Sequence, residues 1–354
     1  MSLEAQNSRI QNIVHDAYQA RTPLLIHGGN SKRFYGRQIT GQQLNVSHHG
    51  GIIHYEPTEL VITAAAGTPL SEIESVLAEH NQMLAFEPPH FGDRATLGGA
   101  IATGLSGPRR PYAGSARDFV LGVKLINGKG ELLHFGGEVM KNVAGYDLSR
   151  LLTGSLGTLG ILLEVSLKVL PRPAMETTLI NELPADKAQA IMLDYGRQSL
   201  PVSGCCHDGR YLYTRLSGTE QAIKVAVKNV PGDQLEEHDR FWEKLRDHQL
   251  PFFDSEQTMW RLSVPANASD LNIEGECFID WGGAQRWIKS SMDAEYIRTQ
   301  VSTVQGHATQ FRHGDTNAEY FHPLSGKLKQ IHLHLKLAFD PNCILNPTRM
   351  YSDF

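Results

Sequence analysis

Three glycine-rich segments in the first half of the chain constrain most strongly what it can fold into. They are His27-Gly28-Gly29-Asn30-Ser31-Lys32, Thr96-Leu97-Gly98-Gly99-Ala100 running on to Gly107, and Gly154-Ser155-Leu156-Gly157-Thr158-Leu159-Gly160. Each adjoins apolar residues of strand or helix type, so backbone N–H groups can point into a space that side chains would otherwise fill. A large anionic ligand fits that design. Single glycines serve turns, but three clusters with Pro88-Pro89 and Ala144-Gly145-Tyr146-Asp147 between them need another reason. Two standard phosphate loops fail on spacing. Lys32 follows a pair of adjacent glycines rather than the G-x-x-x-x-G of a Walker loop, and no segment supplies G-x-G-x-x-G with an acidic residue about twenty positions on.

At 354 residues and 41% hydrophobic content, the chain can build two compact regions. Its net charge of -5, with lysines and arginines scattered singly, argues against a nucleic-acid partner. No apolar run approaches the roughly 20 residues that span a bilayer. The stretch Met1 to Ala20 carries Glu4, Arg9, His15 and Asp16, so neither a signal peptide nor a membrane anchor is expected. Cys205, Cys206, Cys277 and Cys343 form no CxxC pair, so no zinc or iron-sulfur site, and no other metal site, is drawn from them. The expectation is a cytoplasmic protein; an iron-sulfur centre, if electrons pass to one, belongs to another chain.

The spacing of Ile10, Ile13, Val14, Ala17 and Tyr18 predicts a helix over 6–20, followed by a strand at Leu24-Leu25-Ile26. Strands are expected at 51–55 and 60–66, then a helix to about His80 with Thr68 as its N-cap and Pro69 in its first turn. Residues 119–126, Asn127-Gly128-Lys129-Gly130 and 131–135 read as a hairpin. A strand over 159–170 ends at Pro171-Arg172-Pro173, the expected domain boundary. Beyond it, short strands alternate with helices as in an α+β unit with an antiparallel sheet, and Ser325 to Phe339 reads as a helix.

Taken in order, His27 to Ser31, Leu97-Gly98-Gly99, Tyr112 to Asp118, Gly145 to Leu148, Gly154 to Gly160 and the tail Phe339-Asp340-Pro341-Asn342-Cys343-Ile344-Leu345-Asn346-Pro347 resemble the vanillyl-alcohol-oxidase (PCMH) type of FAD-binding domain. Within that family the chain is similar to the E-type FAD-binding subunits of bacterial glycolate oxidase, over nearly its whole length. The resemblance implies an α+β fold. An FAD-binding domain of two α+β subdomains would cover 1–173, split near 55; a cap domain with an antiparallel sheet, 174–311; and a segment returning to the FAD domain, 312–354. It implies that His27, Gly28, Gly29, Asn30 and Ser31 hold the pyrophosphate, and that Thr96, Leu97, Gly98, Gly99, Thr103, Gly107, Tyr112 and Gly114 line the middle of the cofactor. Gly145, Asp147, Gly157, Thr158, Gly160 and Ile161 would take the adenosine side, and Asn346 would approach the flavin. Relatives that tether FAD use a histidine where this chain has Asn30, or a cysteine within 88–97, where it has none, so FAD is expected to be non-covalent.

Flavin oxidation of a 2-hydroxy acid needs a cation for the carboxylate and a base for the hydroxyl proton. An arginine fork suits the first. Arg261, within an expected strand, and Arg312-His313 are the candidates, against the ordinary reading of solvated arginines and a turn histidine. Trp281 and Trp287 read as cap core, His332 and His334 as structural, and His48-His49 as a surface loop. The H-x-G-D-G-N-x-H stretch of D-type subunits and D-lactate dehydrogenases survives here only as Arg312-His313-Gly314-Asp315-Thr316-Asn317. The expected function is therefore the FAD-bearing subunit of a glycolate dehydrogenase complex with a D-type flavin subunit and an iron-sulfur subunit, reaching the inner membrane only through partners. A self-sufficient hydroxy-acid dehydrogenase and a structural subunit that has lost flavin are the alternatives.

Overall fold

The computed structural model describes residues 2–137, 147–315 and 318–354. The chain divides into two units, one comprising Met1–Leu105, Ser115–Pro171 and Pro323–Phe354, the other Ser106–Gly114 and Arg172–His322.

In the first unit, helix Leu3–Ala20 begins where the Ser2 hydroxyl accepts the Ala5 N–H and ends where Arg21 turns left-handed at φ 53°. Its buried Ile10, Val14 and Ala17 pack on Leu24, Leu44, Ile161 and the tail residues Ile344 and Leu345. Strands Leu24–His27 and Gln42–Asn45 pair in parallel. The main sheet is antiparallel, in the order Ile52–Glu56, Val61–Ala65, Ile161–Lys168, Val120–Ile126, Leu132–Gly136. The expected hairpin is present, and Asn127 builds its turn: the side-chain oxygen accepts from the N–H groups of Lys129 and Glu131, both at 3.0 Å.

Helix Leu70–Glu79 buries Leu70, Ile73 and Leu77, worth about 1.5–3 kcal/mol each. Thr68 is not its N-cap, contrary to the sequence expectation. The Thr68 hydroxyl instead bonds Ala65 O at 2.7 Å and Gly51 N at 2.9 Å, fastening the preceding strand end, and Pro69 takes the cap position. His49 is also not a surface residue. It is 2% exposed, with Nδ1 3.1 Å from Gln6 Oε1.

The second unit is an antiparallel sheet of eight strands, in the order Asp233–Gln234, Met175–Glu182, Tyr211–Gly218, Val202–His207, Glu276–Asp280, Gln285–Lys289, Met259–Ser263, His307–Arg312. Helices Ala185–Tyr195 and Glu220–Ala226 bury Ala188, Met192, Ile223 and Ala226 against Leu179, Leu212 and Leu216. Helix Ala294–Thr303 buries Ile297 and Val301 against Trp260, Leu262 and Ile288. Side chains alternate along a strand, so Arg261, Trp287 and Phe278, opposite one another in register, stand on the other face. Ser106–Gly114 belongs with this unit, although the sequence reading placed all of 1–173 in one domain. Arg109 Nη2 donates to Glu176 Oε1 at 2.6 Å and Trp281 Nε1 to Gly107 O at 3.0 Å, and these bonds hold the segment to the sheet.

Candidate functional site: a glycine-lined cleft and an arginine-bearing sheet face

The cleft of the first unit encloses about 1030 Å³ of space between atoms, counting its open mouth. Its walls bring together His27, Gly28, Gly29, Asn30, Ser31, Thr96, Gly98, Gly99, Thr103, Gly157, Gly160, Ile161 and Asn346, which the sequence scatters over three hundred positions. After strand Leu24–His27 the chain turns through Asn30 at φ 61°. Among the described residues, no backbone N–H of Gly28 to Ser31 donates to a protein acceptor. Successive N–H groups around a left-handed residue form an anion-binding concavity.

The glycines are needed because a Cβ would collide with neighbouring backbone or side chain. A Cβ on Gly29 would lie 1.4 Å from the Arg94 carbonyl oxygen, and one on Gly98 2.9 Å from Ala66 O. Gly157, at φ 72°, would set a Cβ 2.9 Å from Asn346 Nδ2. Asn346 itself is a staple: its side-chain oxygen accepts from Ile26 N and its nitrogen donates to Leu156 O, both at 2.8 Å. It thus ties the first glycine segment to the third.

Several expected residues lie elsewhere. Leu97 is 1% exposed in the core. The Thr158 hydroxyl donates to Ser155 O at 2.7 Å, outside the cleft wall. Asp147 is an exposed helix-end residue 3.3 Å from Arg150 Nε. Gly107, Tyr112 and Gly114 belong to the other unit, and Gly145 lies outside the described residues. The sequence reading missed Lys32 and Arg349. Lys32 is 7% exposed on the cleft wall, its ammonium bonded to Ser31 Oγ at 3.3 Å. Arg349 donates to the carbonyls of Arg33, Tyr35 and Arg37, holding the chain that leaves the glycine loop. The position of Lys32 just after the loop was the only signal available for either.

On the second unit's sheet face, Arg261 and Arg312 both act on the recessed His248. Burial, then the charges of Arg312 and Arg261, hold its pKa well below the ordinary 6.5. His248 stacks on Phe253 at 4.1 Å between ring centroids and meets Trp287 edge-on at 4.5 Å. Arg261 lies over Trp281 (5.1 Å) and Trp287 (6.0 Å), so these buried rings also serve as a stacking surface. Arg261 Nε donates to Gln285 Oε1 at 2.6 Å; its terminal amino groups have no acceptor among the described residues. His313 instead sits in a turn at φ 55°, its ring 3.7 Å from the exposed Glu256. The sequence reading missed His248 because a histidine beside Asp247 and Gln249 carries no local pattern. The cysteines carry no reactive thiol in this unit's core: burial pushes Cys205 up to about 12.

His248 makes a pH prediction with a definite sign. A histidine whose folded pKa is depressed binds its proton more readily in the unfolded chain, so its contribution is present above 6.5 and lost as pH falls below it. Melting temperature is therefore expected to drop below pH 6.5, ahead of the acid loss of Glu176 near the carboxylate range; His49, His307, His322 and His332, also held low by burial, share that first step, and His248→Phe should shrink it. An unchanged pH profile in His248→Phe would show that the imidazole is not held neutral by its surroundings.

A family model described as an FAD binding domain matches residues 5–136. The glycolate oxidase subunit GlcE of Escherichia coli strain K12 is 49% identical over 340 residues, covering 96% of both chains. The glycolate oxidase subunit GlcD of Bacillus subtilis strain 168 is 31% identical over 174 residues, 48% of this chain and 37% of that one. Among solved structures, an alkyldihydroxyacetonephosphate synthase superposes with a TM-score of 0.69 at 17% identity, over 96% of this chain and 75% of its own. At that identity it shares the fold. The fold is thus the α+β FAD-binding architecture of vanillyl-alcohol-oxidase type. No helix among the described residues is long and apolar enough to cross a membrane.

Proposed function

Since this chain belongs to the family of the glycolate oxidase subunit GlcE, we propose that it is the FAD-bearing subunit of a complex that oxidises glycolate to glyoxylate. The observation that carries this reading is the cleft, with its row of N–H groups around Asn30 that no protein acceptor takes up among the described residues. Gly28 to Ser31 would hold the pyrophosphate through those donors, Lys32 would add a positive charge beside it, and Gly157 and Gly160 would let the nucleotide lie against backbone. FAD, when bound, supplies the acceptor for the two electrons taken from the alcohol carbon.

The chain's own residues do the rest. Arg261 would bind the substrate carboxylate through its terminal amino groups, end-on, because Nε is already committed to Gln285. The hydroxyl proton needs an uncharged base, and His248 is kept in that state beside both arginines. His313, beside an exposed glutamate, is poorly suited. Electrons then leave for a D-type flavin subunit and an iron-sulfur subunit.

The test is an anaerobic absorbance titration with glycolate, with and without partner subunits, on protein that has first been checked for flavin release by hot acid. The expected result is yellow protein, flavin in the acid supernatant and full bleaching in the complex. A colourless preparation, or a complex whose flavin on this chain stays oxidised, would defeat the reading. Bleaching at full speed without partners would instead favour the self-sufficient dehydrogenase.

A further inference from the structure

We propose that Gln285 and Asp280 are positioning residues that aim Arg261 at a small carboxylate; the inference rests on the substrate-binding role given to Arg261 above. Three hydrogen bonds run in series on one sheet face. Trp281 N donates to Asp280 Oδ1 at 2.7 Å, Gln285 Nε2 to Asp280 Oδ2 at 3.3 Å, and Arg261 Nε to Gln285 Oε1 at 2.6 Å. The register makes the series possible, since Asp280 and Gln285 are direct cross-strand partners and Gln285 is in turn opposite Ser263, two residues from Arg261.

The direction of the series is chemically determined. An ionised carboxylate only accepts, so Asp280 draws the amide nitrogen of Gln285 to itself and leaves the amide oxygen facing Arg261. With the amide reversed, two donors would face each other at Arg261 Nε. Asp280 therefore acts on Arg261 through Gln285, without touching it.

Burial makes the arrangement hard to explain as ordinary core. Asp280 is 3% exposed and Gln285 2%, yet the series ends on an arginine whose terminal amino groups remain without protein acceptors among the described residues. A buried polar chain is costly unless every member is satisfied. The last member, Arg261, is half-buried, so its fork meets solvent until a ligand carboxylate takes the paired N–H donors. Two aromatic planes confine the guanidinium as well: Trp281, itself fixed by its bond to Gly107 O, and Trp287.

The experiment titrates the assembled complex with oxalate, a carboxylate that cannot be oxidised as a hydroxy acid, and follows tryptophan fluorescence, since Arg261 lies over two of the chain's four tryptophans. Steady-state kinetics with glycolate run beside it. Gln285→Met, which keeps shape and loses both bonds, should weaken oxalate binding and raise KM about tenfold, the size of one charge-assisted hydrogen bond. Its kcat and flavin content should stay unchanged, because the carboxylate is held equally in ground and transition states. Gln285→Glu keeps an acceptor for Arg261 and should retain binding.

Arg261→Gln is the control for the underlying reading. If it leaves oxalate affinity intact, Arg261 is not the carboxylate site and that reading falls. If Arg261→Gln abolishes binding while Gln285→Met binds as the parent does, the positioning role alone is overturned. Should Gln285→Met fail to fold, Asp280→Asn decides. It preserves shape but lets the Gln285 amide reverse, so a several-fold loss of affinity supports the proposal and parental affinity refutes it.

Discussion

Gly29→Ala is expected to yield protein that has lost its FAD. The single added methyl would sit 1.4 Å from the carbonyl oxygen of Arg94 and 2.6 Å from its carbonyl carbon, both backbone atoms that cannot rotate aside. One strand of chain must therefore move by more than an ångström, and the moving part is the turn that presents the N–H groups of Gly28 to Ser31. Overpacking of this kind costs about 1–3 kcal/mol in stability, but the larger effect falls on binding, because the donors no longer converge on one anion. Flavin absorbance per protein after gel filtration, with a thermal melt of the same sample, measures both.

Gly157→Val should behave similarly for a different reason. It combines a left-handed backbone at φ 72° with a contact of 2.9 Å to Asn346 Nδ2, and so breaks the staple between the first and third glycine segments. Gly326→Ala is the control, since nothing lies within 4 Å of its added methyl. Full flavin content in both Gly29→Ala and Gly157→Val would mean that the cofactor is held elsewhere.

The second large effect is on stability. Lys336 is 2% exposed and Asp340 fully buried, paired at 2.7 Å between Nζ and Oδ2. Lys336 also donates to the carbonyls of Thr158 (2.8 Å) and Leu345 (2.9 Å), while Asp340 accepts from Ile344 N and Leu345 N. The pair thus joins the tail to the third glycine segment. Lys336→Met leaves a buried carboxylate without its cation, which costs about 3–5 kcal/mol. Denaturant unfolding of the intact chain should show that loss, and Lys336→Met/Asp340→Asn should recover most of it by removing the stranded charge. If the single variant is as stable as the parent, the pair is not the link described.

Much of the cleft lining was legible in advance because glycine is informative where a Cβ has no room. Gly28, Gly29, Gly98, Gly99, Gly157 and Gly160 do line one cleft, and the order of the motifs pointed to the family that the comparisons show. What the sequence does not show at Gly29 is its neighbour: the missing side chain makes room for the backbone carbonyl of Arg94. Thr68 was misplaced as a cap because a threonine before proline looks the same whether its hydroxyl serves the helix or the strand behind it. Gly107 and Tyr112 read as part of the first domain because they follow its motif in sequence, yet their segment is held by Glu176 and Trp281.

Local chemistry alone therefore determined the strands, the hairpin at Asn127, the glycine loops and the class of ligand they admit, since turn geometry and side-chain absence act over a few residues. Tertiary structure decided everything that depends on partners distant in sequence. It made Asn346 a staple, buried Lys336 against Asp340, put His248 under the charges of two arginines and hung Arg261 from Gln285. The value of a charge or an amide is set by the dielectric and the donors around it, and those are supplied only when the chain has folded.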